Sequence, residues 1–372
     1  MVQRVLITGG AGFIGSHLAD ELLAQRYQVR VLDDLCAQVH GESRARPAYL
    51  DPEVELQVGD LRDPEAVREA LREVDAVVHL ASRVGVGQSM YQVRDYVGVN
   101  DLGTAVLLEA LVDRPVERLV VASSMSIYGE GLYRTGAGAL VGDAKRDPKR
   151  LGLGRFEPED EHGQPLVPTP TPESKTPSLV SVYALSKYVQ ERLCLMIGQS
   201  YGVPTVALRF FNVFGPRQAL SNPYTGVLAI FASRLLNGHR PTIFEDGEQR
   251  RDFVSVYDVA RACRLALERP EAAGLALNVG SGLGRSVREV ATVLARLLGR
   301  DDLEPEITGR VRHGDIRHCF ADPALAEARL GFRAEVSFDE GLRDLIGWLD
   351  GRSADDQVDR ATEELLNRGL VS

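Results

Sequence analysis

The chain has 372 residues, 44% of them hydrophobic and 26% charged, with a formal net charge of −10. That is the composition of a globular protein of one large or two modest domains, and its acidity gives no reason to expect nucleic acid or an anionic membrane as a partner. No apolar run approaches the roughly 20 residues needed to cross a bilayer, no charged-then-apolar leader precedes the first strand, and Cys36, Cys194, Cys263 and Cys319 are scattered without a C-x-x-C pair. The expectation is a reduced, cytoplasmic protein without a disulfide framework or metal site.

Val2 to Thr8 is a short apolar run that ends in Gly9-Gly10-Ala11-Gly12-Phe13-Ile14-Gly15, and Ile14, Leu18, Leu22 and Leu23 then recur at helical spacing. Strand, glycine turn and helix open a dinucleotide-binding unit. Gly9 can make the tight turn, Gly12 lets backbone approach a pyrophosphate, and Gly15 lets the helix sit close. The N–H groups of Phe13 and Ile14 and the helix dipole then face the diphosphate. A glycine pattern alone is weak, but a second apolar run, Gln28 to Leu32, ends in Asp33-Asp34 about 20 residues beyond the glycines, as the dinucleotide pattern requires. A carboxylate there accepts from the adenosine ribose and repels a 2′-phosphate, which favours NAD over NADP. The alternative, a plain βα turn with a surface aspartate, does not explain both features together.

Val54 to Val58 is the third strand, followed by Gly59-Asp60-Leu61 and a helix opened by Asp63-Pro64. Asp60 can accept from the adenine amino group, with Leu61 beside it, or simply start a helix. Ala76 to Leu80 is the fourth strand and leads into Ala81-Ser82-Arg83-Val84, whose small residues suit a loop beneath a flat cofactor. Asn100 either meets the cofactor or caps the helical pattern Leu102 to Leu111. Leu119 to Ala122 is the fifth strand and ends in Ser123-Ser124-Met125-Ser126-Ile127-Tyr128-Gly129. Nearly continuous apolar strands alternating with helices argue for a buried parallel sheet.

Residues 130–178 are rich in Gly, Pro and charge and read as an irregular inserted excursion near the site mouth, partly ordered at best. A helix headed by Ser181 then carries Tyr183 and Lys187, four apart on one face. Thr205 to Phe210 is the sixth strand, followed by Phe211-Asn212-Val213. The expected fold is α/β: a Rossmann-type doubly wound parallel sheet over 1–215, then a smaller mixed α/β substrate lobe over 216–350. Some of its segments, near Leu275 to Gly280, return to the sheet. Residues 353–372 are charged and weakly helical and read as a mobile tail.

Ser124, Tyr183 and Lys187 beside a dinucleotide site have a chemical logic. A phenol with a pKa near 10 is a poor base at neutral pH, but an ammonium one turn away favours the phenolate. Tyr183 can then take a proton from a sugar hydroxyl while hydride moves to NAD. Lys187 would also hold the nicotinamide ribose, and Ser124 would bond the same sugar oxygen. A bare Y-x-x-x-K is common, and an amphipathic pair explains it equally well in isolation. Its order after the glycine turn, Asp33 and the serine strand end singles it out.

The stretches TGGAGFIG, SSMSIYG, YALSK, RFFNVFGPRQ and RRDFV, spread over roughly residues 1 to 345, together resemble extended short-chain dehydrogenases/reductases of the NAD-dependent nucleotide-sugar epimerase/dehydratase family. The resemblance implies NAD contacts from Leu80, Ala81, Ser82, Ser123, Phe210 and Val213 as well as the residues above. It implies substrate contacts from Val84, Ser124, Met125 and Ser126, with Asn212, Arg251 and Arg312 on the diphosphate and Asp315 on the nucleotide ribose. Guanidinium forks suit diphosphate oxygens; Arg317 has the weaker claim. The family's dehydratases carry an Asp-Glu pair where this chain has Met125 and Ser126, and its decarboxylases carry a Glu at the second position. Neither residue here is a carboxylic acid, so reversible oxidation at one sugar carbon remains, which implies a 4-epimerase of a dTDP- or UDP-hexose. A nucleotide-uronic-acid decarboxylase and a non-catalytic NAD sensor are the alternatives. The runs SSMSIYGEGLYR and FNVFGPRQALSNPYTGV look most like the dTDP-L-rhamnose 4-epimerase group. Relatives pair through two helices like Leu102 to Leu111 and Val182 to Tyr201, which implies a homodimer.

Overall fold

The computed structural model describes residues 2–219, 226–312, 314–349 and 358–371. Residues 220–225 of the FNVFGPRQALSNPYTGV run, His313 and part of the expected tail (353–357 and 372) lie outside that set.

Five strands, β1 (Arg4–Thr8), β2 (Gln28–Asp33), β3 (Glu55–Val58), β4 (Ala76–His79) and β5 (Arg118–Ser124), are joined by strands Thr205–Phe210 and Ala276–Val279 in one seven-stranded sheet. Every pairing in it is parallel. The order is Ala276–Val279, Thr205–Phe210, β5, β4, β1, β2, β3, so the chain reverses direction across the sheet between β1 and β4. That switch point opens a crevice at the carboxyl ends of the strands. The register aligns those ends: Thr8 pairs with Leu32 and His79, and Ser124 with Phe210. Gly9, Asp33, Leu80 and Ser124 therefore emerge along one edge.

Both faces of the sheet are covered, because strand residues alternate sides. Val5 and Ile7 join one core with Leu18 and Leu22 of the first helix and Val259 and Cys263 of the Val256–Glu268 helix; Leu6 points to the other, with Leu107, Leu111 and Cys194. A further, smaller core around Phe214, Phe231, Phe253 and Leu294 fills the lobe that follows. There Asn212–Phe214 pairs in parallel with Arg250–Ser255, which also pairs with Gly284–Ser286 and His318–Cys319.

The 130–178 excursion is better ordered than its composition suggests. Leu132–Arg134 is the centre of a three-stranded antiparallel sheet with Leu140–Val141 and Val167–Thr169, and Tyr133 is fully buried. Polar anchors hold it: Lys175 Nζ donates to Tyr128 O at 2.5 Å, and the buried guanidinium of Arg146 pairs with Glu130 and Glu245. Of the C-terminal segment, Val358–Asn367 is a helix whose Leu365 is buried on Gly87. Arg368 stacks 4.1 Å from the Tyr91 ring centre, and Val371 bridges to Arg312.

Candidate active site

The glycine turn is shaped by what leaves no room for side chains. Gly9 has φ +69°, and a Cβ there would stand 2.8 Å from Ala81 Cα. At Gly15 it would stand 2.4 Å from Gly10 Cα, so the helix packs on the turn itself rather than on the strand. At Gly12 the nearest atom is Gly9 O at 3.4 Å, which leaves the cradle open. No side chain caps the Phe13–Ala24 helix. Its first N–H groups, those of Phe13, Ile14 and Gly15, therefore keep the donors a diphosphate needs.

Asp33 is buried, and its carboxylate accepts from Ala11 N at 3.0 Å and Leu35 N at 2.9 Å. It pins the glycine turn to the loop after β2. Burial raises its pKa against these bonds and the nearby His40. Asp34 is more open, bonded by Cys36 N at 3.2 Å and facing Arg83 at 3.4 Å. Asp60 is paired with Arg62 in a two-pronged bond, which with the Arg62 N–H holds its carboxyl below the usual range. Leu61 and Phe210 are buried, and Val213 is half-buried against the core.

Asn100 does not cap the helix. It sits in a wider, π-helical stretch, Val97–Leu102, fully buried. Its amide accepts from Arg83 N at 2.7 Å and donates to Arg83 O at 3.1 Å and Ser186 Oγ at 2.9 Å. It clamps the Leu80–Val84 loop to the tyrosine helix. Leu80, Ala81 and Ser82 are half-buried along that loop, and Val84 is 53% exposed.

Ser181 caps the Val182–Tyr201 helix by accepting from Ala184 N at 3.1 Å. That fixes the start of the helix carrying Tyr183 and Lys187. The Tyr183 phenol is pushed up by burial and pulled down by its bond to Ser124. Lys187 is 3% exposed, and burial takes its ammonium down to about 8, against the nearby Cys194, Glu191 and Asp101. Ser124 also accepts from Ser126 N at 3.1 Å, which shapes the turn beyond β5. Ser123, by contrast, directs its hydroxyl inward to Glu191 at 2.6 Å, so its side chain faces the core and not the crevice. Met125 is 9% exposed.

On the opposite wall, the parallel pairing of Asn212 with Phe253 sets Asn212 beside the RRDFV strand. Arg251 donates to the carbonyls of Arg317 and Ile316 and to Asp315 at 3.3 Å, so its terminal nitrogens bind the Asp315–Arg317 segment. Arg312 donates to Asp315 at 3.0 Å and lies over Phe244. Burial would raise the Asp315 carboxyl, but Arg312, Arg251 and Arg146 hold it low. Ser126 Oγ, Asn212 Oδ1 and Arg312 Nε are buried with no hydrogen-bond partner among the described residues. Such orphaned groups suit a polar ligand. Arg317 is structural: it is 1% exposed and ion-paired to Glu157, Glu245 and Asp246.

Two residues escaped the sequence reading. Arg146, in a charged run of the excursion, donates to Asp315 O and thereby supports the wall; nothing in the run marked it. Gln190 bonds Lys187 and was signalled only by its i+3 spacing. Among the described residues no group of His, Cys, Asp or Glu could hold a metal ion, and no helix is long and apolar enough to cross a membrane.

The comparisons with known proteins agree with this geometry. Residues 5–280 match the model of the NAD dependent epimerase/dehydratase family. A dTDP-L-rhamnose 4-epimerase of Burkholderia thailandensis is 34% identical over 352 residues, 93% of this chain and 95% of the relative. Among solved structures, a UDP-glucose 4-epimerase of Thermus thermophilus in complex with NAD is 35% identical, with a TM-score of 0.72 over 94% of this chain and 99% of the other. A UDP-glucose 4-epimerase of Thermotoga maritima with UDP-glucose is 29% identical, with a TM-score of 0.75 over 93% and 98%. With the parallel sheet, the glycine turn and the serine–tyrosine–lysine group in one crevice, these matches make the chain a member of the NAD-dependent epimerase/dehydratase family.

Proposed function

We propose that the protein is an NAD-dependent 4-epimerase of a dTDP- or UDP-linked hexose, with Ser124, Tyr183 and Lys187 as its catalytic residues. The observation that carries this reading is the meeting of Tyr183 with Ser124, the phenol one helical turn from the buried Lys187, beside a strand end where Met125 and Ser126 supply no carboxylic acid. NAD, when bound, supplies a hydride acceptor that can return the hydride to the opposite face of the same carbon. Tyr183 then takes the hydroxyl proton of that carbon and later gives it back. Lys187 holds the phenolate by its charge, and Ser124 donates to the sugar oxygen as it becomes a ketone. No net redox change results, and no group that eliminates water is needed. Gly12, the first N–H groups of the Phe13–Ala24 helix, Asp33 and Asp34 form the cofactor side. Asn212, Arg251, Arg312 and Asp315 form the nucleotide side.

The same reading makes the protein a cytoplasmic homodimer. Leu102, Leu185 and Met196 are 54%, 48% and 53% exposed on the two helices expected to pair. The named relatives act on dTDP- and UDP-linked sugars, and the substrate class is taken from them. A panel of such nucleotide sugars should give a 4-epimer with no net NADH, and Tyr183→Phe should lower kcat by roughly 10²- to 10⁴-fold. Release of carbon dioxide, or accumulation of a 4-keto-6-deoxy sugar, would rule the reading out.

A further inference from the structure

The buried face of the Val182–Tyr201 helix carries a polar side chain that the mechanism above does not use. Gln190 stands one turn after Lys187 and is 1% exposed. Its Oε1 accepts from Lys187 Nζ at 2.7 Å. An ammonium can only donate, so chemistry assigns that oxygen and turns the amide nitrogen the other way. There Nε2 lies 2.9 Å from Thr104 Oγ1, 3.4 Å from Ala81 O and 3.2 Å from His79 Nε2. These partners are themselves held, since Thr104 Oγ1 bonds Asn100 O at 2.5 Å and His79 Nδ1 lies 2.7 Å from Thr8 Oγ1. Gln190 is thus braced by β1, β4, the loop after it and the helix that carries Thr104.

We propose that Gln190 is a positioning residue for the epimerase reaction: it takes one of the three N–H bonds of Lys187 and so fixes where the other two point. The inference rests on the functional reading above, and it goes beyond it by naming what holds the lysine.

Without an acceptor there, a buried ammonium would lose a charge-assisted hydrogen bond, and its neutral form would gain ground. The other groups around Lys187 do not replace that bond. Glu191 on the same helix is bidentate with Arg209 and accepts from Ser123. Asp101, in the Val97–Leu102 stretch, acts on Lys187 through charge without a hydrogen bond to it, and burial keeps the Cys194 thiol protonated, its pKa pushed up to about 12. His79 is held neutral by burial, its pKa near 3. Direct support of the ammonium therefore falls to Gln190. Because Lys187 acts as the ammonium, activity is lost as pH rises through its pKa. Whatever lowers that pKa pulls the alkaline limb of the rate profile to lower pH.

The chain has only four lysines, Lys145, Lys149, Lys175 and Lys187, so an NMR titration of the ε-carbon-labelled holoenzyme resolves each, with Lys187→Met assigning the signal. Gln190→Met should move the Lys187 titration and the alkaline limb down together by about one to two pH units, the worth of one hydrogen bond to a charged group. It should lower kcat roughly 10- to 100-fold, as small misplacements of catalytic groups do, with KM for the nucleotide sugar nearly unchanged. Gln190→Glu keeps an acceptor and adds a charge, so it should move both upward and retain more kcat than the methionine variant. If Gln190→Met does not fold, the glutamate variant decides. Should the Lys187 titration and the limb match those of the unmodified protein in the variants that fold, Gln190 only fills space and the proposal is overturned. A parent enzyme that fails to epimerise any nucleotide sugar would sink the functional reading instead, and the titration would still report on the Lys187–Gln190 bond.

Discussion

Asp33 illustrates how one side chain can do two jobs at this site. The sequence marks it as the ribose-binding carboxylate, and the structure adds that both its oxygens already accept backbone bonds, from Ala11 N and Leu35 N. Each oxygen has a second lone pair, so the ribose contact and the two backbone bonds are compatible. Asp33→Asn keeps the size and removes one acceptor. One of the two buried N–H groups then loses its partner, at a cost of about 1–3 kcal/mol. Where that group is Ala11 N, the glycine turn also loses its tie to the end of β2. Urea unfolding of the variant should therefore show that loss without cofactor and a smaller stabilisation on adding NAD than the parent shows. Equal stabilisation by NAD in both would mean that Asp33 serves the turn only and that Asp34 carries the ribose.

At the scale of elements, the sheet was legible because its strands are buried on both faces. A strand such as Arg118–Ser124 then reads as a nearly unbroken apolar run, and glycine or serine marks each carboxyl end. The Pro64–Ala70 and Val182–Tyr201 helices were legible from Asp63 and Ser181, which cap them. The cap alternative for Asn100 fails: its residue type suits a cap, but the π-helical stretch that turns it inward has no sequence signature. The 130–178 excursion misled for a different reason. Its order comes from buried ion pairs such as Arg146–Glu245 with partners far along the chain, and charge in a sequence reads as solvent exposure. The join between β1 and β4 gives a test at this scale. His79 is 1% exposed, bonded to Thr8, and burial lowers its pKa from 6.5 to about 3. The unfolded chain therefore binds a proton below pH 6.5 that the folded one refuses. This term is fully favourable above that pH and is lost as pH falls toward 3. Between pH 7 and pH 5 it amounts to about 2 kcal/mol. His79→Gln should flatten the dependence of unfolding free energy on pH over that interval by about that amount, and an unchanged slope would place the acid sensitivity elsewhere.

For the whole molecule, the crevice lies between a sheet that can hold the cofactor and a lobe that can hold the nucleotide, and a third piece of chain touches both. Leu365 of the Val358–Asn367 helix packs on Gly87 and Arg368 lies over Tyr91, on the loop-and-helix segment that follows Val84, while Val371 bridges to Arg312 on the opposite wall. Among the residues of this segment whose burial is described, Leu365 and Val371 are the buried ones. Their burial is worth about 1.5–3 kcal/mol each at most, too little to govern a fold whose main cores lie elsewhere. The larger effect of the contact is on Arg312, which keeps one nitrogen without a partner and depends on its neighbours for its orientation. Removing residues 358–372 should therefore leave the melting temperature of the main transition within a few degrees. It should raise KM for the nucleotide sugar by roughly tenfold, the equivalent of about 1.4 kcal/mol of lost orientation, with kcat far less affected because Ser124, Tyr183 and Lys187 lie on other elements. An equal fall in kcat would mean that the segment acts on the chemistry through the loop beside Val84. An unchanged KM would mean that the bridge to Arg312 has no part in holding the nucleotide.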